Sequence, residues 1–503
     1  MNLLRRYFYP IPFAVCAVFF AILLSINGRY GFYHDELYFI DCAKHLDWGY
    51  VDHPPLVPWI TWLAGKVFGY SSWGIRVPLA IALSMNAYLT VVLATRLGGG
   101  TVARYGALYC FFLAPVMPRA AMFLNIPTFE MTFYLLIALT LLTILQKDSQ
   151  RLWLLVGALA GLALLNKHTT LFFGFALALG LLFTPQRNAL RQPWIWLGGL
   201  IALLIVTPNL LWQYQHDWAT LEFIQNLNQG TMRQIPRWEF LLSQLLFINP
   251  FNAAFFVGAV VYFRSEAGQR ARLLGWIILI FLAVLLVFHA KHYYFAPLFP
   301  LIMAAGAVTY ERWMEDNPGF WLRRGQPVLA CLLMAPFLVA LMPLLPKPQL
   351  LWYEAHIFRP VFGDTAGLMR DYYNQMNWEE EVAQIAQIFH DLPESDQAQC
   401  AILTNHYGMA GSINYWGESY GLPEVQSGSN NYYLWGQGNT RGAVAVAYGY
   451  DRPLLEQVYG EVTEVGRTRR PFVDGDKADL PIYVCRTLKM TWPEAWPLFK
   501  RFI

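Results

Sequence analysis

Long apolar stretches recur along most of the chain and alternate with short charged segments. The first stretch follows Arg5 and Arg6 and ends near Ile26; it has no small-residue cleavage site, so we interpret it as a retained first helix rather than a signal peptide. Ten further stretches are long enough to approach or cross the hydrocarbon core of a bilayer. They lie near residues 73–95, 102–117, 127–146, 152–166, 169–184, 194–212, 240–263, 273–290, 293–310 and 326–346. The pattern predicts a polytopic α-helical membrane protein with about eleven transmembrane helices.

The charges between the apolar stretches predict how the helices are oriented. If the N-terminus is cytoplasmic, nearly every short segment that falls inside carries two or three cations, as the positive-inside rule requires. These cations are Arg5, Arg6, Arg96, Arg104, Lys147, Arg151, Arg187, Arg191, Arg264, Arg270, Arg272, Arg312, Arg323 and Arg324. The segments that fall outside are poorer in lysine and arginine, and the first of them is acidic. With an odd number of helices, the C-terminal segment lies outside as well.

The C-terminal segment lacks the long apolar runs, and its pattern predicts a mixed α/β domain. Short strands are predicted at residues 399–403, 443–447 and 482–486, and a helix at residues 378–389. We therefore predict two domains. Residues 1–346 form a transmembrane domain that includes the first outer loop, residues 28–72, and residues 347–503 form an extracytoplasmic α/β domain.

Composition agrees with a membrane protein and excludes other classes. Of the 503 residues, 56% are hydrophobic and only 14% are charged, whereas soluble domains carry about a quarter charged residues. The 19 Trp, 28 Tyr and 35 Phe residues suit a chain with many rings at lipid interfaces. The net charge of +3 is too small to indicate nucleic-acid binding. Because the chain has no glycine-rich phosphate loop, nothing indicates a cytosolic nucleotide substrate.

Ionisable residues concentrate on the predicted outer side of the membrane. The first outer loop contains His34, Asp35 and Glu36, followed by Asp52 and His53. Others fall at the outer ends of later helices: Arg119, Glu130, Lys167, His168, His289, Lys291 and His292. Charges near or within spans usually line a polar cavity or pathway. Since all of these open on one side, the sequence predicts an outward-facing cavity rather than a relay through the bilayer.

A cavity that holds both carboxylates and cations suits group transfer from a phosphorylated donor. A carboxylate can take the proton from an acceptor hydroxyl or amine. Cations can bind the departing phosphate and neutralise its developing charge. A donor embedded in lipid would place such a site at the membrane interface.

Several motifs carry a resemblance to a known family. They are His34-Asp35-Glu36-Leu37-Tyr38, then residues 48–56, 125–130, 165–169, 291–300, 405–411, 421–423 and 430–436. In this order, and over most of the chain, they resemble the bacterial glycosyltransferase family 39 proteins, relatives of the protein O-mannosyltransferases and the lipid A aminoarabinose transferases. The resemblance implies a GT-C fold in the bacterial inner membrane. It also implies inverting transfer of a sugar from a polyprenyl-phosphate carrier, such as undecaprenyl phosphate, to an extracytoplasmic acceptor.

The resemblance further implies roles for individual residues. Asp35 is expected to be the catalytic base or to orient the acceptor, with Glu36 beside it as the second catalytic candidate. Lys167 and Lys291 are expected to bind the carrier phosphate. The other expected substrate-binding residues are Asp52, His53, Glu130, His168 and Tyr293. The position that matches His53 is a lysine in the aminoarabinose transferases, so this chain lacks a permanent cation there.

Other interpretations stay open at this point. Asp35 can be a solvated loop acid or a helix cap, the lysines can extend to the interface, and Glu130 can be buried against a cation. The chain as a whole can be a transporter or flippase of a lipid-linked sugar, although neither midplane charges nor an internal repeat supports this. It can also be a non-catalytic scaffold or sensor. The acceptor can be lipid A, another envelope glycan or a protein.

No cofactor is clearly indicated. The histidines of the outer segments lack metal-ligand spacing, which leaves a divalent metal as a minor alternative. None of the six cysteines has such spacing either. Cys400 and Cys485 both fall in the C-terminal segment, and a disulfide between them is compatible with an extracytoplasmic location.

Overall fold

The computed structural model describes residues 8–228, 235–316, 319, 325–363, 366–438, 441–469 and 479–503. Its contacts divide the chain into two compact units. The helical unit comprises Met1–Gly28, Trp73–Leu211 and Arg233–Leu350, and the mixed unit comprises Arg29–Ser72, Trp212–Met232 and Leu351–Ile503. The contacts thus group the first outer loop with the C-terminal segment, and our two-domain division at residue 346 stays a prediction.

The helical unit consists of apolar helices joined by short connections. Its α-helices are Pro10–Ile26, Val77–Arg96, Thr101–Leu113, Val116–Arg119, Ile126–Lys147, Trp153–Asn166, Thr170–Leu182, Pro193–Gln215, Arg237–Ile248, Ala253–Arg264, Arg272–Val287, Phe299–Asp316 and Gln326–Leu341, and its 3₁₀ turns are Gln150–Leu152, Pro185–Arg191, Pro250–Asn252, Gln269–Ala271 and His292–Leu298. Ser72–Ile75 precedes the second helix, and Pro193–Gln215 continues into the mixed unit.

Every predicted apolar stretch contains a helix, so the positions of these stretches are confirmed as helical. Among the described residues, 5 helices are long and apolar enough to cross a membrane, or up to 7 if each of two bent helix pairs is one span. One bent pair turns by 89° at Pro250, inside the stretch that we predicted as a single span near 240–263. The number of about eleven membrane-crossing helices stays a prediction. The predicted inside-loop cations Arg5, Arg6, Arg323 and Arg324 lie outside the described residues.

Two features hold helices of the helical unit closely together. Gly306 lies so near the carbonyl of Phe255 that a Cβ atom would collide with it, and small residues at such crossings allow two backbones to approach. The buried carboxylate of Glu311, on helix Phe299–Asp316, accepts hydrogen bonds from the backbone N–H groups of Gly100 (2.5 Å) and Val102 (2.8 Å). It therefore caps helix Thr101–Leu113, whose first N–H groups have no partner within the helix.

The mixed unit is built around a five-stranded sheet. The strands are β1 (Cys400–Thr404), β2 (Val425–Ser427), β3 (Val444–Tyr448), β4 (Tyr459–Arg469) and β5 (Asp479–Leu488), in the order β2-β1-β3-β5-β4. β1 is parallel to β2 and β3, and β5 is antiparallel to β3 and β4. Its helices and helical turns are His34–Lys44, Leu56–Phe68, Ala219–Asn226, Lys347–Tyr353 at the unit boundary, Glu354–Phe358, Arg359–Phe362, Ala366–Tyr373, Trp378–His390, Glu394–Gln397, Tyr407–Trp416, Gly417–Tyr420, Asn431–Trp435, Arg452–Val458, Trp492–Ala495 and Trp496–Phe499.

The three predicted strands are confirmed as β1, β3 and β5, and the predicted helix is confirmed as Trp378–His390. Strands β2 and β4 were not predicted. The disulfide between Cys400 and Cys485 is not formed, since both are buried free thiols. β1 and β5 are separated by β3, so their backbones are about 9–10 Å apart, which exceeds the Cα separation of roughly 7 Å that a disulfide can span.

Candidate active site

The candidate residues of the first outer loop lie at the start of helix His34–Lys44. Tyr33 is extended and forms the N-cap, and Glu36, three residues later, accepts a hydrogen bond from the Tyr33 backbone N–H (2.8 Å). This is a capping box, in which the side chain satisfies an N–H group that the helix leaves unpaired. Glu36 is fully buried. Its carboxylate therefore stabilises the helix end that presents Asp35.

Asp35 is partly open to solvent, with a side chain that is 39% exposed. Its Oδ1 accepts a hydrogen bond from the Tyr407 hydroxyl (2.8 Å) and lies 3.3 Å from the His34 ring nitrogen Nε2. Burial raises the pKa of Tyr407 well above its usual value, and the Asp35 carboxylate raises it further. The Tyr407 hydroxyl consequently stays protonated and orients Asp35 as a donor.

The contact with Tyr407 depends on a close helix crossing within the mixed unit. Helix Tyr407–Trp416 approaches helix His34–Lys44 through two glycines. A Cβ at Gly408 would lie 2.5 Å from the Cβ of His34, and one at Gly411 would lie 2.8 Å from the Cβ of Leu37. Larger side chains would separate the helices and remove the hydroxyl from Asp35.

Asp52 is the second carboxylate of this group. Its Oδ1 lies 3.0 Å from the Tyr38 hydroxyl, which can donate to it, and 3.9 Å from Nε2 of His53. Burial raises the pKa of Asp52, and the Asp35 carboxylate adds to the rise, while His53 and Tyr38 act in the opposite direction. We call His34, Asp35, Tyr38, Asp52 and Tyr407 the acidic cluster. Within it, Asp52 binds a proton more readily than an ordinary aspartate does.

His53 is buried beside the acidic cluster, packed between the rings of Tyr38, Phe39 and Tyr50. Its Nδ1 is 2.9 Å from the Pro54 carbonyl, whereas its Nε2 has no hydrogen bond within the described part of the chain. The His53 ring is thus surrounded by aromatic side chains, and its Nε2 lies on the side of the Asp52 carboxylate.

The first outer loop is tied to the C-terminal segment by polar contacts that the sequence did not predict. The Asn431 side chain accepts from the backbone N–H of Val51 (2.6 Å). Asp41, which is buried, accepts from the Tyr432 hydroxyl (2.6 Å) and from the Asn414 amide (2.8 Å). The tail motifs at 405–411 and 430–436 were the available signal, since they contain Tyr407, Asn431 and Tyr432.

Glu130 belongs to the helical unit, in the first turns of helix Ile126–Lys147. It is fully buried and accepts hydrogen bonds from the Thr169 hydroxyl (2.5 Å) and the Tyr134 hydroxyl (2.8 Å). Its second oxygen lies 3.5 Å from the Lys167 ammonium. Glu130 is therefore buried against a neighbouring cation, Lys167, which was the alternative interpretation of this residue.

Lys167 follows helix Trp153–Asn166 in an extended conformation and projects onto aromatic rings. Its ammonium is 3.9 Å from the centroid of the Tyr294 ring and 5.3 Å from that of Tyr293, within the range of a cation–π interaction. We call Glu130, Lys167, Thr169, Tyr293 and Tyr294 the lysine cluster. Tyr294, the nearer ring, was not among the predicted residues, although it is the next residue in the same motif.

The remaining candidates of the helical unit are Lys291 and His168. Lys291 caps the turn His292–Leu298, and its ammonium has no hydrogen bond or ion pair with the described residues. The Nε2 atom of His168 lies 3.2 Å from the amide oxygen of Asn209. A Lys ammonium has three donors, and the 3.5 Å distance to Glu130 is too long for a normal hydrogen bond. Lys167 and Lys291 thus both retain donors for an anion.

Neither cluster is built like a metal site. Within the described ranges, no group of three or more His, Cys, Asp and Glu side chains could hold a metal ion. The structure brings Asp35 and Asp52 together in one unit, and Glu130, Lys167 and Tyr293 together in the other. The expected single cavity that contains both sets stays a prediction, as do the roles of the individual residues.

Comparisons with known proteins agree with the sequence motifs. Residues 52–212 match the family described as dolichyl-phosphate-mannose-protein mannosyltransferase. The chain is 27% identical over 276 residues to the lipid A galacturonosyltransferase RgtD of Rhizobium johnstonii, covering 51% of this chain and 54% of that protein. It is 28% identical over 161 residues to the putative mannosyltransferase YycA of Bacillus subtilis, covering 32% of this chain and 23% of that protein. The aligned part thus spans about half of RgtD and less of YycA.

Solved structures show the fold. The chain matches ArnT from Cupriavidus metallidurans bound to undecaprenyl phosphate with a TM-score of 0.61 and 14% identity, over 94% of this chain and 97% of ArnT. The Archaeoglobus fulgidus oligosaccharyltransferase, in complex with Zn and sulfate, matches with a TM-score of 0.51 and 12% identity, over 87% of this chain and 67% of that one. The chain therefore has the GT-C fold of ArnT, and its resemblance to glycosyltransferase family 39, expected from its motifs, is confirmed.

Proposed function

We propose that this protein is an inverting glycosyltransferase of the bacterial inner membrane. It moves a sugar from a polyprenyl-phosphate carrier to an extracytoplasmic acceptor, which is lipid A, another envelope glycan or a protein. The observation that carries the proposal is the environment of Lys167, whose ammonium lies 3.5 Å from the Glu130 carboxylate and 3.9 Å from the centroid of the Tyr294 ring. The chain also has the fold of ArnT. Two relatives support the proposal: RgtD is a lipid A galacturonosyltransferase, and ArnT binds undecaprenyl phosphate.

In the proposed reaction, the acceptor oxygen or nitrogen attacks the anomeric carbon of the carrier-linked sugar. The bond between that carbon and the phosphate oxygen breaks, and polyprenyl phosphate leaves with the bonding electrons. Asp35 takes the acceptor proton, a role suited to a carboxylate that is 39% exposed and oriented by the Tyr407 hydroxyl. Lys167 and Lys291 bind the departing phosphate and stabilise its charge in the transition state.

The remaining candidates have supporting roles in the proposal. Asp52 and His53 support the acidic cluster, with Nε2 of His53 3.9 Å from Oδ1 of Asp52. Glu130 fixes the position of the Lys167 ammonium, and the Tyr293 ring lies 5.3 Å from it. His168, the next residue in the sequence, contacts the Asn209 side chain. Glu36 maintains the helix end that carries Asp35. The proposal does not require a metal ion or another cofactor.

The test is a transfer assay with purified protein, labelled polyprenyl-phosphate sugar and candidate acceptors. The proposal predicts that free polyprenyl phosphate and a glycosylated acceptor appear in equal amounts. Asp35→Asn should be folded and should lower the rate by at least about 100-fold, in the range of lost general-base catalysis. Asp451→Asn, an exposed aspartate of the mixed unit, is the matched control and should be unaffected. If the protein moves the intact lipid across vesicles without releasing carrier phosphate, it is a flippase and the proposal is wrong.

A further inference from the structure

A cavity lies within the mixed unit, and Asp35 is not among the residues that line it. Its volume is about 370 Å³, within the range of roughly 300–1,000 Å³ that is typical of small-molecule sites. It is lined by parts of the first outer loop, strand β2 and the segment that follows helix Asn431–Trp435. Lys167 and Lys291 do not line it either.

One wall of this cavity is aromatic. His45 stacks on the Trp435 ring with centroids 4.5 Å apart, and Tyr432 meets Trp435 edge-on at 4.9 Å. The Tyr432 hydroxyl is fixed by its hydrogen bond to Asp41. Aromatic side chains combine a large apolar surface with a polar edge. Such a wall suits a ligand with both a C–H face and hydroxyl groups.

The lining also contains a polar side chain, that of Gln426. Gln426, on strand β2, is only 6% exposed, yet its side-chain carbonyl has no hydrogen bond within the described part of the chain. Leaving a buried polar atom unpaired is unfavourable by about 1–3 kcal/mol. Gly438 has a left-handed φ of +64°, and a Cβ there would lie 3.1 Å from the Gln426 amide nitrogen. The turn therefore uses glycine to bring the backbone close to this amide.

The charge of the lining limits the ligand. Glu424 lines the cavity, whereas no lysine or arginine does so within the described ranges. A phosphate, sulfate or carboxylate would meet the Glu424 carboxylate without a lysine or arginine in the lining to compensate it, which is unfavourable. A hexose or hexosamine ring without an anionic group fits the aromatic wall, the Gln426 amide oxygen that has no hydrogen bond among the described residues, and the Glu424 carboxylate together.

We infer that this cavity binds a saccharide ring that carries no anionic substituent, through Trp435 and Gln426. Given the proposed function, the ring belongs to the acceptor, which would then be a glycan or glycolipid rather than a bare protein. Only this last step rests on the proposed function. Binding of the ring can be measured without donor and without transfer.

The binding test uses full-length protein in a detergent that has no sugar headgroup. Saturation-transfer NMR should detect methyl β-glucoside and glucosamine, and glucuronate should bind at least tenfold more weakly. Trp435→Ala should weaken glucoside binding at least tenfold. Gln426→Leu, which removes the buried amide and should leave the unit folded, should weaken glucoside binding at least fivefold. Trp416→Ala is the matched control, because Trp416 is half-buried in the same unit but does not line the cavity.

The outcomes separate this inference from the proposed function. If glucoside binds equally to wild type, Trp435→Ala and Gln426→Leu, or if no sugar binds, the cavity is not a saccharide site, even when transfer is active. If binding depends on Trp435 but no transfer occurs with any acceptor, the cavity assignment stands and the proposed function fails. When both hold, Trp435→Ala should raise the KM for a glycan acceptor at least tenfold and change kcat less than twofold.

Discussion

The pair formed by Lys167 and Glu130 allows the strongest separation of catalytic and structural roles. The Glu130 carboxylate is buried with two hydroxyl donors, and Lys167 is its cation at 3.5 Å. Removing one partner of a buried ion pair leaves an uncompensated charge and is destabilising by about 3–5 kcal/mol. Because the Lys167 side chain is 14% exposed, we expect Lys167→Met to lower the free energy of unfolding by about 3 kcal/mol, the lower end of this range. Transfer should fall at least about 100-fold, as when a transition-state donor is lost.

The double variant Lys167→Met/Glu130→Gln distinguishes the two effects. A neutral glutamine can still accept from Thr169 and Tyr134 and needs no cation, so stability should return to within about 1 kcal/mol of wild type. Transfer should remain lost, because the ammonium that binds phosphate is absent. Thermal unfolding in detergent and the labelled-lipid transfer assay measure the two quantities. Lys147→Met, an exposed lysine at the end of the same helix as Glu130, controls for loss of a lysine. If the double variant regains transfer, Lys167 is structural and the proposed phosphate role is refuted.

Three further predictions concern the acidic cluster. Tyr407→Phe removes the donor that orients Asp35 and should lower kcat about tenfold with little change in KM; an unchanged kcat would show that Asp35 needs no such positioning. Glu36→Ala removes the capping carboxylate and should lower unfolding stability by about 0.5–2 kcal/mol, whereas Glu36→Gln, which keeps an acceptor, should retain most of the transfer rate; a catalytic role would instead abolish it. Burial raises the pKa of Asp52 in the folded protein above its ordinary value of 3.8. The protonated Asp52 side chain therefore contributes to the free energy of unfolding below pH 3.8, and this contribution is lost as the pH rises through the pKa of the folded state. Between pH 4 and pH 8, the free energy of unfolding should thus fall less for Asp52→Asn than for wild type. Parallel curves for the two proteins would exclude this linkage.

The apolar helices could be predicted because each is a long run of residues that prefer lipid, and such runs are local in sequence. The break at Pro250 was not predicted, since Asn249 and Pro250 interrupt an otherwise continuous apolar stretch only briefly. Strand β2 is three residues long and too short to show a period. Strand β4 is an edge strand with several charged residues and a register shift near Gly466, so it has no apolar run.

The site was predictable as a set of residues but not as a geometry. Asp35 and Lys167 were identified from charge placement and motifs. The contact between Tyr407 and Asp35 joins residues 372 positions apart and depends on helix packing through Gly408. Similarly, the capping role of Glu36 becomes visible only once the helix start at His34 is known. Interactions that depend on tertiary packing carry no periodic signal in the sequence.

The proton-accepting and phosphate-binding residues are proposed to face the same, extracytoplasmic side of the membrane. The most direct measurement is labelling of single cysteines in intact cells, at Asp35→Cys and at Lys291→Cys, in a Cys331→Ser background because Cys331 is the exposed native thiol of the described chain. We predict that a membrane-impermeant thiol reagent labels both positions from outside without lysis. Labelling of one position only after lysis would place the two on opposite sides and would contradict the account.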